Sequence, residues 1–149
     1  MQPKTVTRTS LFPASVAVIM PRLRRLETLQ MIAYPYATFQ PAEGTAPLCW
    51  QPGEKYSFEF RLFGCIPFGK HTIEVVRFDE EGIYTRESNP HVPVWNHRII
   101  LKAIGEASTE YTDEVEIGAG WKTPFVCLWA KLFYRHRQRN WIKLLREDK

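Results

Sequence analysis

The chain has 149 residues, of which 44% are hydrophobic and 24% charged, with 20 Lys and Arg against 16 Asp and Glu. These proportions exclude disordered, collagenous and coiled-coil chains, and the length suits a single domain over 1–149 that can bury a core and an internal cavity. The longest apolar run, near Val16–Met20, is stopped by Pro21 and falls far short of the ~20 residues that span a bilayer.

Met1–Ser10 lacks the apolar segment and cleavage pattern of a secretory signal, so a cytoplasmic location is expected. Lys4–Leu11 is rich in threonine and reads as a strand. Pro13 suits the first turn of a short helix over Ala14–Met20, and Pro21 should break or restart it. A second short helix over Arg22–Met31 follows, ended by Tyr34-Pro35. Ala37–Gln40 is a short strand, and Pro41–Gly53 is irregular, punctuated by Gly44, Pro47, Pro52 and Gly53.

Tyr56–Phe63 alternates, with Tyr56, Phe58, Phe60 and Leu62 on one face. After a loop over Gly64–Gly69, His71–Phe78 is extended, Glu80-Glu81-Gly82 turns, and Ile83–Ser88 is a shorter strand closed by Asn89-Pro90. Val94–Ala103 puts Trp95, His97, Ile99 and Leu101 on one face, and Thr109–Ile117 does the same with Tyr111, Asp113, Val115 and Ile117. Period-2 patterns with one polar face mark an antiparallel sheet buried on one side. The period then changes. Thr123 is a good N-cap and Pro124 a good first residue for a long helix to Glu147, with Phe125, Leu128, Trp129 and Leu132 on one face.

Cys49, Cys65 and Cys127 are odd in number and lack metal-ligand spacing, and the four His are scattered, so neither a disulfide framework nor a zinc site is expected. Glycine-rich phosphate loops and nucleophile elbows are absent, and no cofactor is expected. Residues 131–149 carry seven cations and two acids. Such a segment can attract nucleic acid or anionic lipid, but cations also suit a solvated helix C-terminus, and no nucleic-acid motif accompanies them.

A one-sided sheet must cover its apolar face, and only the C-terminal helix is long enough to do so. The expected fold is α+β: a curved seven-stranded antiparallel sheet gripping a long C-terminal helix, with two short helices after the first strand. The stretch Leu62-Phe63-Gly64-Cys65-Ile66-Pro67-Phe68-Gly69-Lys70-His71 resembles the helix-grip superfamily of START lipid-transfer domains, polyketide cyclases and bacterial SRPBCC ligand-binding proteins. Trp95-Asn96-His97, Tyr111-Thr112-Asp113-Glu114-Val115 and Phe133-Tyr134-Arg135-His136-Arg137-Gln138 are similar to one SRPBCC branch. The resemblance implies a deep, mostly apolar cavity between sheet and helix, and it does not choose between carrier and enzyme.

Turn arithmetic sharpens the site. With Gly105 at the centre of its hairpin, His97 lies opposite Asp113 and Ile99 opposite Tyr111. With Asn89–Pro93 as the preceding turn, Arg86 lies near His97, giving a polar row of Arg86, His97 and Asp113 on the apolar face. The row is either a self-satisfied network that sets strand register or a functional site. In the second case His97 would be a general acid or base oriented by Asp113, and Arg86 would bind an oxyanion. Around it, Tyr56, Phe58, Phe60, Trp95, Ile99, Tyr111, Phe125, Leu128, Trp129 and Leu132 are expected to form the interior, as core or as cavity wall. His71 is expected on the surface or at the cavity mouth, His91 is expected in an exposed turn, and His136 could border the cavity. The expected function is binding of a hydrophobic small molecule such as a lipid, isoprenoid or aromatic polyketide. The alternatives are a cyclase or hydrolase using His97 and Asp113, and a membrane-surface or nucleic-acid binder using the basic helix.

Overall fold

A computed structural model of the protein describes residues 2–42 and 49–147. The punctuation at Gly44 and Pro47 and the charges at Asp148 and Lys149 lie outside the described residues. Seven strands, β1 (Lys4–Phe12), β2 (Ala37–Pro41), β3 (Lys55–Leu62), β4 (Ile66–Asp79), β5 (Gly82–Asn89), β6 (Val92–Gly105) and β7 (Ser108–Gly118), form one antiparallel sheet. Its order is β1-β7-β6-β5-β4-β3-β2. Two short helices, α1 (Val16–Leu23) and α2 (Leu26–Ala33), separate β1 from β2, and the 25-residue α3 (Thr123–Glu147) closes the chain. This is the START-like helix-grip fold: a curved sheet wrapped on a long C-terminal helix. No helix among the described residues is long and apolar enough to cross a membrane.

Several boundaries differ from the sequence reading. Ser15, rather than Pro13, opens α1, its Oγ accepting from the Val18 N–H at 3.3 Å. Pro21 lies inside α1 near its end, where a missing N–H removes only one helical hydrogen bond. The break falls instead at Arg25, whose backbone is extended. Strand β4 starts at Ile66, so the expected Gly64–Gly69 loop shrinks to a tight turn at Phe63–Cys65, with Phe63 and Gly64 at φ 54° and 73°. The β4–β5 turn depends on Gly82, at φ 138°, where a Cβ would collide with the Ile99 carbonyl.

Two register findings position the site. Across β6 and β7, His97 pairs with Val115, Ile99 with Asp113 and Leu101 with Tyr111, two residues from the expected pairing, because the turn lies between Gly105 and Ser108 rather than being centred on Gly105, and an irregularity between Ala103 and Gly105 takes back one residue of that offset. An even shift keeps every side chain on its face, so His97 and Asp113 remain diagonal neighbours on the concave side. Across β5 and β6, Thr85 pairs with His97 and Arg86 with Asn96. Arg86 is exposed on the convex face, contrary to expectation. Alternation along β5 explains this: Ile83, Thr85 and Glu87 share the inward parity, and Arg86 takes the other.

The α3 phase also differs. Its buried face is Ala130, Phe133, Tyr134, Arg137, Gln138, Trp141 and Leu145, while Phe125, Leu128 and Leu132 are exposed. The first turns of α3 are apolar on nearly every side, so hydropathy there does not define a face, and the true face contains Arg137 and Gln138. Thr123 is the first residue of α3 rather than its cap. Its Oγ1 accepts from the Ala119 N–H at 3.0 Å and donates to the Gly120 carbonyl at 2.7 Å, fastening the turn before the helix. The backbone of α3 packs on β1, β7 and α2. At that side Phe12 stacks on Tyr111 with ring centroids 4.3 Å apart, and Trp141 lies within 6 Å of both.

Candidate functional site

Because α3 leans on β1 and β7, it stands away from the centre of the sheet and leaves a cavity of about 550 Å³ there. That volume lies within the usual range of small-molecule sites. Most of the wall is apolar, with Phe60, Ile73, Ile83, Trp95, Ile99 and Trp129 as its main panels. The cavity reaches the surface where two exposed residues, Trp121 and Phe125, join the wall.

The expected interior residues divide into three groups. Phe60, Trp95, His97, Ile99, Phe125 and Trp129 line the cavity. Phe58 and Tyr111 are fully buried core outside its wall, and Tyr56 is half-buried against Trp50. Arg86, Leu128 and Leu132 face outward and take no part in it. His136 does not border the cavity either: its Nε2 meets the Tyr34 carbonyl at 2.6 Å and its ring stacks on Tyr36. His91 is exposed beside Phe68.

A polar chain crosses this apolar space. His97 Nε2 lies 2.6 Å from Asp113 Oδ1, and the Gln138 Nε2 amide donates to Asp113 Oδ2 at 2.9 Å and to the Arg8 carbonyl at 2.8 Å. Gln138 Oε1 accepts from the Ser10 hydroxyl at 2.5 Å, tying α3 to β1. On the other side of His97, Glu87 Oε2 is 3.9 Å from Nδ1 and accepts from the Thr85 hydroxyl at 2.6 Å, while Glu87 Oε1 contacts His71 Nε2 at 2.8 Å. The chain thus steps across β4, β5, β6, β7 and α3 in spatial order. Asp113 lies behind His97, outside the cavity wall, whereas His71, Thr85, Glu87 and His97 form part of it.

Burial raises the pKa of Asp113, but the His97 hydrogen bond, the His97 and Arg137 charges and Gln138 outweigh it, leaving the carboxyl below its ordinary value. Glu87 is likewise raised by burial and lowered further by His71, His97 and Thr85. Both are therefore carboxylates at neutral pH. Since Asp113 is ionised, His97 Nε2 carries the proton of their shared bond. Tyr134, raised well above its ordinary value by burial, stays neutral, accepts from Trp95 Nε1 at 3.1 Å and lies tilted against the His97 ring, centroids 5.0 Å apart.

Arg137 completes the site. Its side chain is 6% exposed and belongs to the cavity wall, with the guanidinium 5.1 Å from the Tyr134 ring centroid and 5.5 Å from that of Phe133. No hydrogen bond or ion pair among the described residues engages it. Burial lowers its pKa, but Asp113 and the buried tyrosines raise it further, so it remains a cation. Other wall residues also hold buried nitrogens without partners: His71 Nδ1, Asn89 Nδ2 and Trp129 Nε1. Among the described residues no three His, Cys, Asp or Glu side chains are placed to hold a metal ion.

Sequence reasoning missed Glu87, His71 as a buried group, Arg137 and Gln138. The signal for the first two was available: Glu87 shares inward parity with Ile83, and His71 shares it with Ile73 and Val75 on the neighbouring strand. Arg137 and Gln138 become legible only after Phe133, Tyr134 and Trp141 are taken to set the helix phase.

Comparisons with known proteins agree on the fold. The chain is similar to a START superfamily protein from Mycobacterium smegmatis, with TM-score 0.75, 15% identity and coverage of 97% of this chain and 99% of that one. It is similar to a conserved protein from Geobacillus kaustophilus, with TM-score 0.67, 14% identity and coverage of 97% and 96%. It is also similar to the Zhui aromatase/cyclase from a Streptomyces species, with TM-score 0.63, 11% identity and coverage of 96% and 91%. No curated protein matches the sequence. The profile of the family described as "Domain of unknown function (DUF8410)" matches residues 42–145, which is most of the chain, and the protein belongs to that family.

Proposed function

We propose that the protein binds an apolar small molecule with one anionic or strongly accepting oxygen group, the apolar body between sheet and α3 and the oxygen at Arg137. The observation that carries this reading is the Arg137 guanidinium, which has no hydrogen-bond or ion-pair partner among the described residues and lies in a mostly apolar wall. A buried cation is costly unless paired; a ligand carboxylate would pair with it bidentately, and an enolate oxygen would accept a charge-assisted hydrogen bond from it. The likeness in fold to START and aromatase/cyclase proteins supports a cavity that takes such ligands. Fatty acids, isoprenoid acids and aromatic polyketides all fit this chemical description.

A second reading, acid–base catalysis on the bound ligand, is favoured by His97, which lines the cavity with Asp113 orienting it. A covalent hydrolase is less well supported: among the described residues the wall has no Ser or Cys, the Thr85 hydroxyl donates to Glu87, and Thr28, the other threonine in the wall, has no hydrogen bond to a histidine base. The test is displacement of a bound anilinonaphthalene sulfonate probe by palmitate and by methyl palmitate. The acid should bind at least about tenfold more tightly than the ester, and Arg137→Gln should erase the difference. Equal affinity of acid and ester, or no displacement by any apolar compound, would sink the proposal.

A further inference from the structure

The stripe of α3 that hydropathy assigns to the core is on the surface. Phe125, Leu128 and Leu132 are 68%, 60% and 45% exposed, and Trp121, just before the helix, is 76% exposed. The same face continues with Arg135, Arg139 and, two turns on, Arg146, with Lys131 and Lys143 beside it, all exposed. From Thr123 to Glu147 the only acidic residue is Glu147. None of these five cations forms an ion pair among the described residues. One outer face of one helix is therefore apolar in its first half and cationic in its second. The apolar half includes Trp121 and Phe125, where the cavity opens.

We propose that this face of α3, with Trp121, is a docking surface for an anionic lipid bilayer, on which the helix lies in the plane of the interface. Charge and apolarity together select this partner. A second copy joined through the apolar half would leave the cationic half unused. A nucleic acid would use the cations and leave Trp121, Phe125, Leu128 and Leu132 in water. An anionic bilayer engages both halves, headgroups meeting the arginines and lysines while the aromatic and leucine side chains enter the boundary with the acyl chains. The helix cannot span the bilayer, so the association is peripheral. Docking would bring the cavity mouth to the membrane, but the proposal stands on surface residues and does not depend on the identity of any ligand.

The experiment is co-sedimentation of the full chain with vesicles of phosphatidylcholine containing roughly one third phosphatidylglycerol, beside vesicles of phosphatidylcholine alone. Binding is expected to the anionic vesicles and to weaken as salt rises. Leu128→Ser with Leu132→Ser and, separately, Arg135→Glu with Arg139→Glu should each reduce it by at least about tenfold. Neither leucine lines the cavity and all four residues are exposed, so thermal melts and probe displacement by palmitate should match the parent protein. No binding to anionic vesicles would overturn the proposal. So would binding that survives the leucine changes, or a solution dimer that Leu128→Ser with Leu132→Ser dissolves. Tight salt-dependent binding to duplex DNA that is insensitive to the leucine changes would reassign the cationic half to nucleic acid.

Discussion

Under α3 the sheet has two unlike halves. On the β1–β7 side the helix is in contact: Phe12, Tyr111 and Trp141 are fully buried, and Gln138 is hydrogen-bonded to Ser10, Arg8 and Asp113. On the β3–β5 side the helix stands off, and Phe60, Ile73 and Ile83 face a cavity. The same kinds of residue, aromatic and β-branched, serve both halves. What differs is the distance to the opposing element, and with it the consequence of losing a side chain. On the first side truncation leaves a void in close packing, whereas on the second it enlarges a space that already exists.

The largest expected effect is on the packed side. Trp141→Ala should cost about 3–5 kcal/mol in urea unfolding, since its ring is fully buried against Phe12 and Tyr111 even though another edge of it borders the cavity. Next is the seam between the halves. Asp113→Asn weakens charge-assisted bonds to His97 and Gln138, and a loss of about 2–3 kcal/mol is expected, with palmitate affinity largely unchanged. If stability holds while affinity collapses, the polar chain belongs to ligand binding rather than to the frame. Trp129→Ala, in the cavity wall, should cost about 1 kcal/mol or less while altering probe affinity. A loss as large as that of Trp141→Ala would erase the distinction between the halves.

A pH series sharpens the seam. Asp113 and Glu87 sit below their ordinary values of 3.8 and 4.5, so in acid the unfolded chain binds more protons than the folded one. Their stabilisation is complete above those ordinary values and is lost as pH falls through the depressed ones. Urea midpoints should therefore be level in this contribution above about pH 5 and decline below about pH 4, and Asp113→Asn should make the decline shallower. An equal decline in the variant would remove Asp113 from the acid response. The smallest expected effect is on the outer face of α3, where Leu128→Ser should change stability by no more than about 0.5 kcal/mol.

The strands, their faces and the grip of sheet on helix were legible because alternation and the change from period 2 to period 3.6 are local properties of the chain. His97 and Asp113 came together in the sequence reading despite a register two residues out, since an even slip conserves the face. Arg86 was misplaced because it was assigned by proximity to His97 rather than by the alternation of its own strand.

The sequence by itself therefore determined the order of elements, the antiparallel sheet, and which face of β6 and β7 turns inward. Only the tertiary structure decided the phase of α3, and with it the burial of Arg137 and Gln138, the exposure of Leu128 and Leu132, and the cavity itself. The physical reason is that the first half of α3 is apolar on nearly every side, so its contact face is chosen by what it meets. Gln138 is held by Asp113, Arg8 and Ser10, and Trp141 by Phe12 and Tyr111, partners that lie between 25 and 130 residues away in the chain.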